Sequence, residues 1–142
     1  MDLKQVWSKR PWWMNLIWFF CLYMTFIYMP FDLFLKPVEF DEEVWFGVTL
    51  KGWAAKLTAP FHWLVYAAGA YGFWKMSRWM WPWAAVYVAQ VSFSMLVWNL
   101  LDYRGAGWLA GLIAAAIFAV PTVALWRARS VFRGAPEAAE PV

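Results

Sequence analysis

The sequence has very few charged residues and long stretches that contain none. Only 15% of its 142 residues are Asp, Glu, Lys or Arg, whereas 64% are hydrophobic. Because a soluble domain of this length needs more polar side chains to cover its surface, the composition predicts a membrane protein. Each charge-free stretch is long enough for a helix to cross a hydrocarbon core about 30 Å thick. These stretches are residues 11–31, 57–74, 79–101 and 105–126.

The stretches predict an all-α integral membrane protein, with four transmembrane helices in a compact bundle. Helices are expected because an isolated strand leaves its backbone polar groups unsatisfied in lipid. The helices are expected at about residues 12–31, 58–75, 80–101 and 106–126, within one domain of residues 1–133. Residues 134–142 are polar and proline-rich, which predicts a flexible tail.

Cysteine and histidine are scarce as well, with one of each. A single cysteine excludes an internal disulfide and a multi-cysteine metal site, and a single histidine excludes a haem held by two histidines of one chain. The sequence also has no glycine-rich phosphate loop and no Gly-x-Ser-x-Gly motif. We therefore expect no metal and no cofactor, although a bound lipid or quinone is compatible with the composition.

The basic residues are unevenly distributed between the predicted loops. Eight of the twelve flank one side of the membrane and four the other, which places both termini in the cytoplasm by the positive-inside rule. The short loops and this charge bias favour a bacterial-type inner membrane. The first hydrophobic run continues through Cys21 to Pro30 without a small-residue cleavage site, so it is expected to remain as a helix. The excess positive charge fits the inner leaflet and requires no nucleic acid.

The scarce acidic residues concentrate in the loop after the first predicted helix. Asp41 fits the N-cap of a helix, and Glu42 and Glu43 fit its first turn, where negative charge meets the positive end of the helix dipole. In that register four apolar residues form one stripe, which predicts an amphipathic segment on the outer membrane surface. They are Phe46, Leu50, Trp53 and Leu57. The alternative is an acidic surface at Glu42 and Glu43 that docks a basic partner.

The remaining polar residues gather at the predicted outer ends of the helices. Asp32 ends the first helix, His62 starts the second, and Asn99 and Asp102 finish the third. His62 with Asp32 or Asp102 would form a proton-transfer pair, because an imidazole titrates near neutral pH and a carboxylate orients it. The competing interpretation is structural, since polar groups at helix ends commonly contact water or lipid headgroups.

Small residues recur every four positions in the fourth predicted helix, at Gly107, Gly111 and Ala115. Such a stripe lets another helix approach closely. The neighbour is either a helix of the same chain or a helix of a membrane partner, including a second copy of the protein.

The leading hypothesis from the sequence is a non-catalytic accessory or assembly subunit that binds a larger membrane protein through the small-residue stripe and the acidic loop. The alternative is a small membrane enzyme or carrier for a lipid, quinone or other hydrophobic molecule, with its site among Asp32, His62, Asn99 and Asp102.

Overall fold

The structure is a computed structural model that describes Trp7, Ser8 and residues 10–133, and most of it is helical. The predicted tail, residues 134–142, lies outside the described residues. In chain order the elements are α1 (Trp12–Tyr23), a π-helical turn (Met24–Tyr28), α2 (Met29–Phe34), a 3-10 turn (Val38–Phe40), β1 (Glu42–Trp45), β2 (Val48–Lys51), α3 (Trp53–Lys75), α4 (Met80–Leu101), α5 (Gly107–Arg127) and α6 (Arg129–Arg133).

Three helices are long and apolar enough to cross a membrane, as expected of a multi-pass membrane protein. They are the continuous segment Trp12–Phe34, α4 and α5, and each lies close to its predicted position. Helix α3 is not among them, although it has 23 residues, because its side chains are less hydrophobic on average than those of the other long helices. It begins at Trp53 rather than near residue 58, so that Lys56 lies within it and His62 lies more than two turns from its start.

The helices pack as two pairs. Helix α1 packs on α3, and α4 packs along most of its length on α5. The small side of α5 makes the second pair close: a Cβ on Gly111 would lie 3.0 Å from Leu96 Cδ1, and the Ser92 hydroxyl donates to the Ala115 carbonyl at 2.6 Å. The small-residue stripe therefore supports a contact within the chain.

The apolar segment Trp12–Phe34 changes its helical winding near Pro30. A proline has no backbone N–H, so the carbonyl one turn earlier loses its usual partner, and the winding loosens to a π-turn at Met24–Tyr28. The Trp63 indole of α3 donates to the Thr25 carbonyl in this turn at 2.8 Å. A side chain of α3 thus donates a hydrogen bond to a carbonyl that has lost its partner within the helix.

The expected amphipathic helix after Asp41 is wrong, because this segment forms a β-hairpin. Strands β1 and β2 are antiparallel, with Glu42 opposite Lys51 and Trp45 opposite Val48. Phe46 and Gly47, which connect them, both have positive φ angles, 51° and 87°. That geometry is a type I′ turn, the tight connection that matches the twist of two paired strands. Aromatic and β-branched residues flank the turn and favour strands over a helix.

The hairpin points back along the helices instead of lying across their ends. Its turn contacts α4, where a Cβ on Gly47 would overlap Val97 and would lie 2.8 Å from the Ser94 carbonyl oxygen. Ser94 is roughly 10 Å below the end of α4 at Leu101, given a rise of 1.5 Å per residue. The hairpin also contacts α3. It therefore occupies the space between α3 and α4, the two helices through which the helical pairs meet.

The opposite end of the molecule is rich in basic residues. Arg10 is buried there and donates to the Phe73 carbonyl at the end of α3, while the rings of Phe73 and Phe132 lie 6.0 Å apart. These contacts join the start of α1, the end of α3 and the short helix α6. We call this the basic end, formed by Arg10, Lys75, Arg78, Arg127, Arg129 and Arg133. The other end, which carries the hairpin and the α4–α5 connection, is the hairpin end.

Candidate functional site

Strand β1 brings the Glu43 carboxylate into contact with the imidazole of His62. Glu43 Oε2 lies 2.6 Å from His62 Nδ1, and the two side chains are 10% and 13% exposed, so this contact is largely shielded from solvent. An ionised carboxylate only accepts hydrogen bonds, so a bond from the imidazole to an ionised Glu43 places the proton on Nδ1. In a neutral imidazole the lone pair is then on Nε2, the nitrogen that can accept a further proton. We refer to Glu43 and His62 as the dyad.

Trp45 holds the imidazole in place. The Trp45 and His62 rings are stacked, with centroids 4.0 Å apart and planes only 5° from parallel. The indole Nε1 of Trp45 is buried and has no hydrogen-bond acceptor among the residues that the structure describes. A buried donor without an acceptor is unusual in a folded protein. The dyad therefore lies beside a buried donor whose hydrogen-bonding capacity is not used within the described residues.

Two tyrosines extend this group of polar side chains between α3 and α4. Tyr66, one helical turn after His62, has its ring centroid 6.4 Å from the imidazole. Tyr87 of α4 lies opposite, with its ring 6.3 Å from that of Tyr66. The tyrosines and the dyad form a row of groups that donate or accept hydrogen bonds, between helices whose outer faces are apolar.

Asp32, one of the expected partners of His62, belongs to a different cluster. It is buried and forms an ion pair with Lys36 at 2.8 Å. Lys36 also lies 3.2 Å from the buried carboxylate of Asp41, whose second oxygen is 3.1 Å from Lys56. Although burial opposes ionisation, the contacts with Lys56 and Lys36 lower the pKa of Asp41. These four residues, the lysine–aspartate cluster, join α2 and the following loop to α3.

Asp102, the other expected partner, is also engaged elsewhere. It accepts hydrogen bonds from Arg104 Nε at 2.9 Å and from the Thr49 hydroxyl of β2 at 2.7 Å. Arg104 reaches back to Glu42 at 2.7 Å. The hydrogen bonds from Arg104 and Thr49 hold the pKa of Asp102 well below its usual range, and Arg104 likewise lowers the pKa of Glu42. This network joins the hairpin to the α4–α5 connection.

The other predicted site residues serve the α4–α5 pair. The Asn99 side chain donates to the Met95 carbonyl at 2.8 Å and accepts from the Ala106 backbone N–H at 3.3 Å, so it bridges the turn between the helices. Gly111 and Ala115 face α4, whereas a Cβ on Gly107 would meet nothing within 4 Å. Of the predicted catalytic residues, only His62 therefore lies in the dyad.

Sequence reasoning missed the two hairpin residues that complete the site, Glu43 as the partner of His62 and Trp45 as its stacking surface. The available signal was Phe46-Gly47 between two short runs of aromatic and β-branched residues, which is a hairpin pattern. Alternation along β1 then turns Glu43 and Glu42 to opposite faces. This separation explains why one acid is buried against His62 while the other pairs with Arg104.

Comparison of the chain with protein-family models, with curated proteins and with solved structures gives no match in any of the three.

Proposed function

We propose that the protein binds a small hydrophobic molecule that carries an exchangeable proton or a carbonyl group, such as a quinone or a lipid, at the dyad. The observation that carries this proposal is the Glu43–His62 contact at 2.6 Å beside the unpaired Trp45 indole. In this role His62 Nε2 accepts or returns a proton, Glu43 holds the tautomer, and the Trp45 N–H binds an oxygen of the molecule.

The location of the dyad supports a hydrophobic ligand. His62 lies about 14 Å along α3 from Trp53, at 1.5 Å per residue. Polar groups at such a depth are expensive in a membrane and are usually retained for function. The placement rests on α3 being a fourth crossing helix, which its 23 residues and its course from the hairpin end to the basic end support. With the basic end in the cytoplasm of a bacterial-type cell, the dyad lies towards the outer side.

Contacts within the chain weaken the case that the predicted docking residues of the subunit hypothesis bind a partner. Gly111 packs on Leu96 of the same chain, and the carboxylates of Glu42 and Glu43 pair with Arg104 and His62. A partner would have to displace these contacts before it used those residues. The small-residue stripe and the acidic loop are therefore more readily understood as internal contacts.

Selective labelling of histidine tests the proposal directly, because His62 is the only histidine in the chain. Protein purified without a histidine tag in lipid nanodiscs gives one imidazole signal in nuclear magnetic resonance. We expect that signal to report the Nδ1–H tautomer and to shift on addition of ubiquinone-2 or of dihexanoyl phosphatidylethanolamine. Glu43→Ala should remove the tautomer preference, and Trp45→Phe should weaken the response to the added compound.

Glu39→Gln is the matched control, because Glu39 is an exposed acid just before the hairpin and makes no contact with His62. It should leave both the tautomer and the ligand response unchanged. An imidazole signal that neither compound shifts, in protein whose tryptophan fluorescence reports a folded state, would overturn the proposal.

A second candidate, the accessory subunit, is favoured by large apolar side chains exposed at the hairpin end outside the three apolar spans. Phe40 and Tyr103 are 71% and 82% exposed. Exposed aromatic groups of this kind suit a protein interface. A stoichiometric chain that co-purifies with the protein, is lost in Phe40→Ser with Tyr103→Ser and is retained in His62→Gln would establish this function instead.

A further inference from the structure

A cavity lies at the basic end, far from the dyad. It has a volume of about 470 Å³ and is lined by Arg78, Trp81 and Arg133. Arg78 precedes α4, Trp81 lies in its first turn and Arg133 ends α6. The cavity is therefore formed by segments distant in sequence that the packing of α6 against α4 brings together.

Trp81 arranges the cations around this cavity. Its indole Nε1 donates to the Trp126 carbonyl at 3.0 Å, which fixes the ring against α5. The guanidinium groups of Arg129 and Arg133 lie 4.6 and 5.7 Å from the centre of that ring. Such cation–π contacts orient an arginine without neutralising its charge. The hydrogen-bond donors of the two arginines thus stay available to an anion.

The basic end has no acid to balance these charges within residues 10–133. The ion pairs in this part of the chain all join residues of the hairpin end, from Asp32 to Arg104. Arginine presents a planar fork of N–H donors that matches the oxygens of a phosphate group. The composition of the cavity therefore suits a phosphate.

An apolar groove adjoins the cavity and indicates what carries the phosphate. It has a volume of about 220 Å³ and runs between α4 and α5, with Ala85 and Ala89 on one side and Thr122 and Trp126 on the other. The ring of Trp126, which lines the groove, lies 5.4 Å from the ring of Trp81, which lines the cavity, so the groove begins beside the cations and extends past Ala85 and Ala89 along α4. A cationic cavity beside an apolar groove matches a phospholipid headgroup and its acyl chain.

We propose that the basic end binds one anionic phospholipid, with its phosphate at Arg78 and Arg133 and an acyl chain in the groove between α4 and α5. This ligand is chosen over free phosphate because the groove would have no function for an inorganic ion. It is also the lipid class expected beside a positively charged protein surface, because each arginine contributes roughly fivefold to affinity for membranes that contain acidic lipids.

Native mass spectrometry of the full chain tests this site. Protein is exchanged into equal amounts of palmitoyl-oleoyl phosphatidylglycerol and palmitoyl-oleoyl phosphatidylcholine, and the retained lipids are counted. We expect one phosphatidylglycerol per chain to be retained in preference to phosphatidylcholine. Arg78→Gln and Arg133→Gln should each reduce the preference roughly fivefold. Lys75→Gln removes the same charge at the same end outside the cavity and should leave the preference unchanged.

The groove has its own pair of variants. Ala89→Phe should fill it and shorten retention of the lipid, whereas Ala116→Phe, at an exposed position of α5 outside the groove, should not. Equal retention of the two lipids by the unmodified chain would overturn the proposal. So would a preference that Lys75→Gln reduces as much as Arg133→Gln, because it would reflect general charge. If the preference for phosphatidylglycerol appears only after Glu137→Gln and Glu140→Gln, the acids of the tail compete for the arginines, and this result would also overturn the proposal.

Discussion

At the scale of single residues, Asp41 shows how this chain places charge inside an apolar protein. Its carboxylate is fully buried, and such a group is stable only when cations compensate for the lost water. Lys36 and Lys56 supply that compensation from two sides, at 3.2 and 3.1 Å. The lysine–aspartate cluster consequently holds the start of the hairpin against the first turns of α3.

We predict that Asp41→Asn lowers the free energy of unfolding by about 3 kcal/mol near neutral pH. Removing one partner of a buried ion pair costs about 3–5 kcal/mol, and the partial exposure of both lysines favours the lower value. Thermal unfolding in detergent micelles, followed by tryptophan fluorescence, measures the change. Glu39→Gln, an exposed acid nearby, should alter stability little, and equal losses in the two variants would contradict the prediction.

The same carboxylate predicts a specific pH dependence. The pKa of Asp41 is lower in the folded state than in the unfolded chain, so its ion pairs stabilise the protein fully above the ordinary carboxyl pKa of about 4. That contribution is lost as the pH falls through the folded-state pKa. The difference in stability between the unmodified chain and Asp41→Asn should therefore shrink below pH 4 or so, and a difference that stays constant there would exclude this cause.

At the scale of elements, the hairpin depends on one glycine for two separate reasons. Gly47 has a φ of 87°, which is costly for any residue with a Cβ, and its missing side chain leaves room for Val97. Gly107 has almost the same φ, 82°, but no atom near the position of a Cβ. Substitutions at the two positions therefore distinguish the free-energy cost of a positive φ from the cost of a steric overlap.

We predict that Gly107→Ala costs about 1–2 kcal/mol from its backbone conformation alone. Gly47→Ala should cost about 1–3 kcal/mol more, because the added methyl overlaps α4 and forces the hairpin away from it. Denaturant titration of both variants in the same detergent measures the difference. Similar losses for the two would show that the hairpin turn does not press on α4.

The long helices could be predicted from the sequence, whereas the hairpin could not. Helices α4 and α5 match their charge-free runs closely, because lipid leaves few alternatives for a long apolar segment. The hairpin was missed because Phe46, Leu50 and Trp53 happen to repeat at helical spacing, and short strands carry a weak local signal. The partner of His62 was missed for the same reason, since Glu43 reaches it only through the pairing of β1 with β2.

At the scale of the whole molecule, the two ends carry opposite kinds of chemistry. The hairpin end contains paired acids and bases, whereas the described part of the basic end contains cations without acids. This difference could be predicted from the sequence as a charge bias across the membrane. The pairing itself could not, because it depends on contacts such as Thr49 with Asp102, which are 53 residues apart.

We predict that α3 crosses the membrane and that the basic end faces the cytoplasm. The native cysteine, Cys21, is buried and can be replaced by serine. In that background Glu39→Cys introduces one thiol before α3, and Ser77→Cys, in a separate variant, introduces one thiol after it. A membrane-impermeant maleimide applied to intact bacterial cells should label Cys at position 39 and not at position 77. Labelling of both from the same side would show that α3 does not cross.

The hairpin also sets the order in which the molecule is completed during synthesis. Its turn packs on Val97, and Thr49 of its second strand donates a hydrogen bond to Asp102. The hairpin therefore cannot complete its contacts until α4 has left the ribosome. At about 5–20 residues per second, the intervening 53 residues take roughly 3–10 seconds to make. During that delay the hairpin lacks its contacts with Val97 and Asp102, so the strand pair that carries Glu43 is exposed on the side that α4 later contacts.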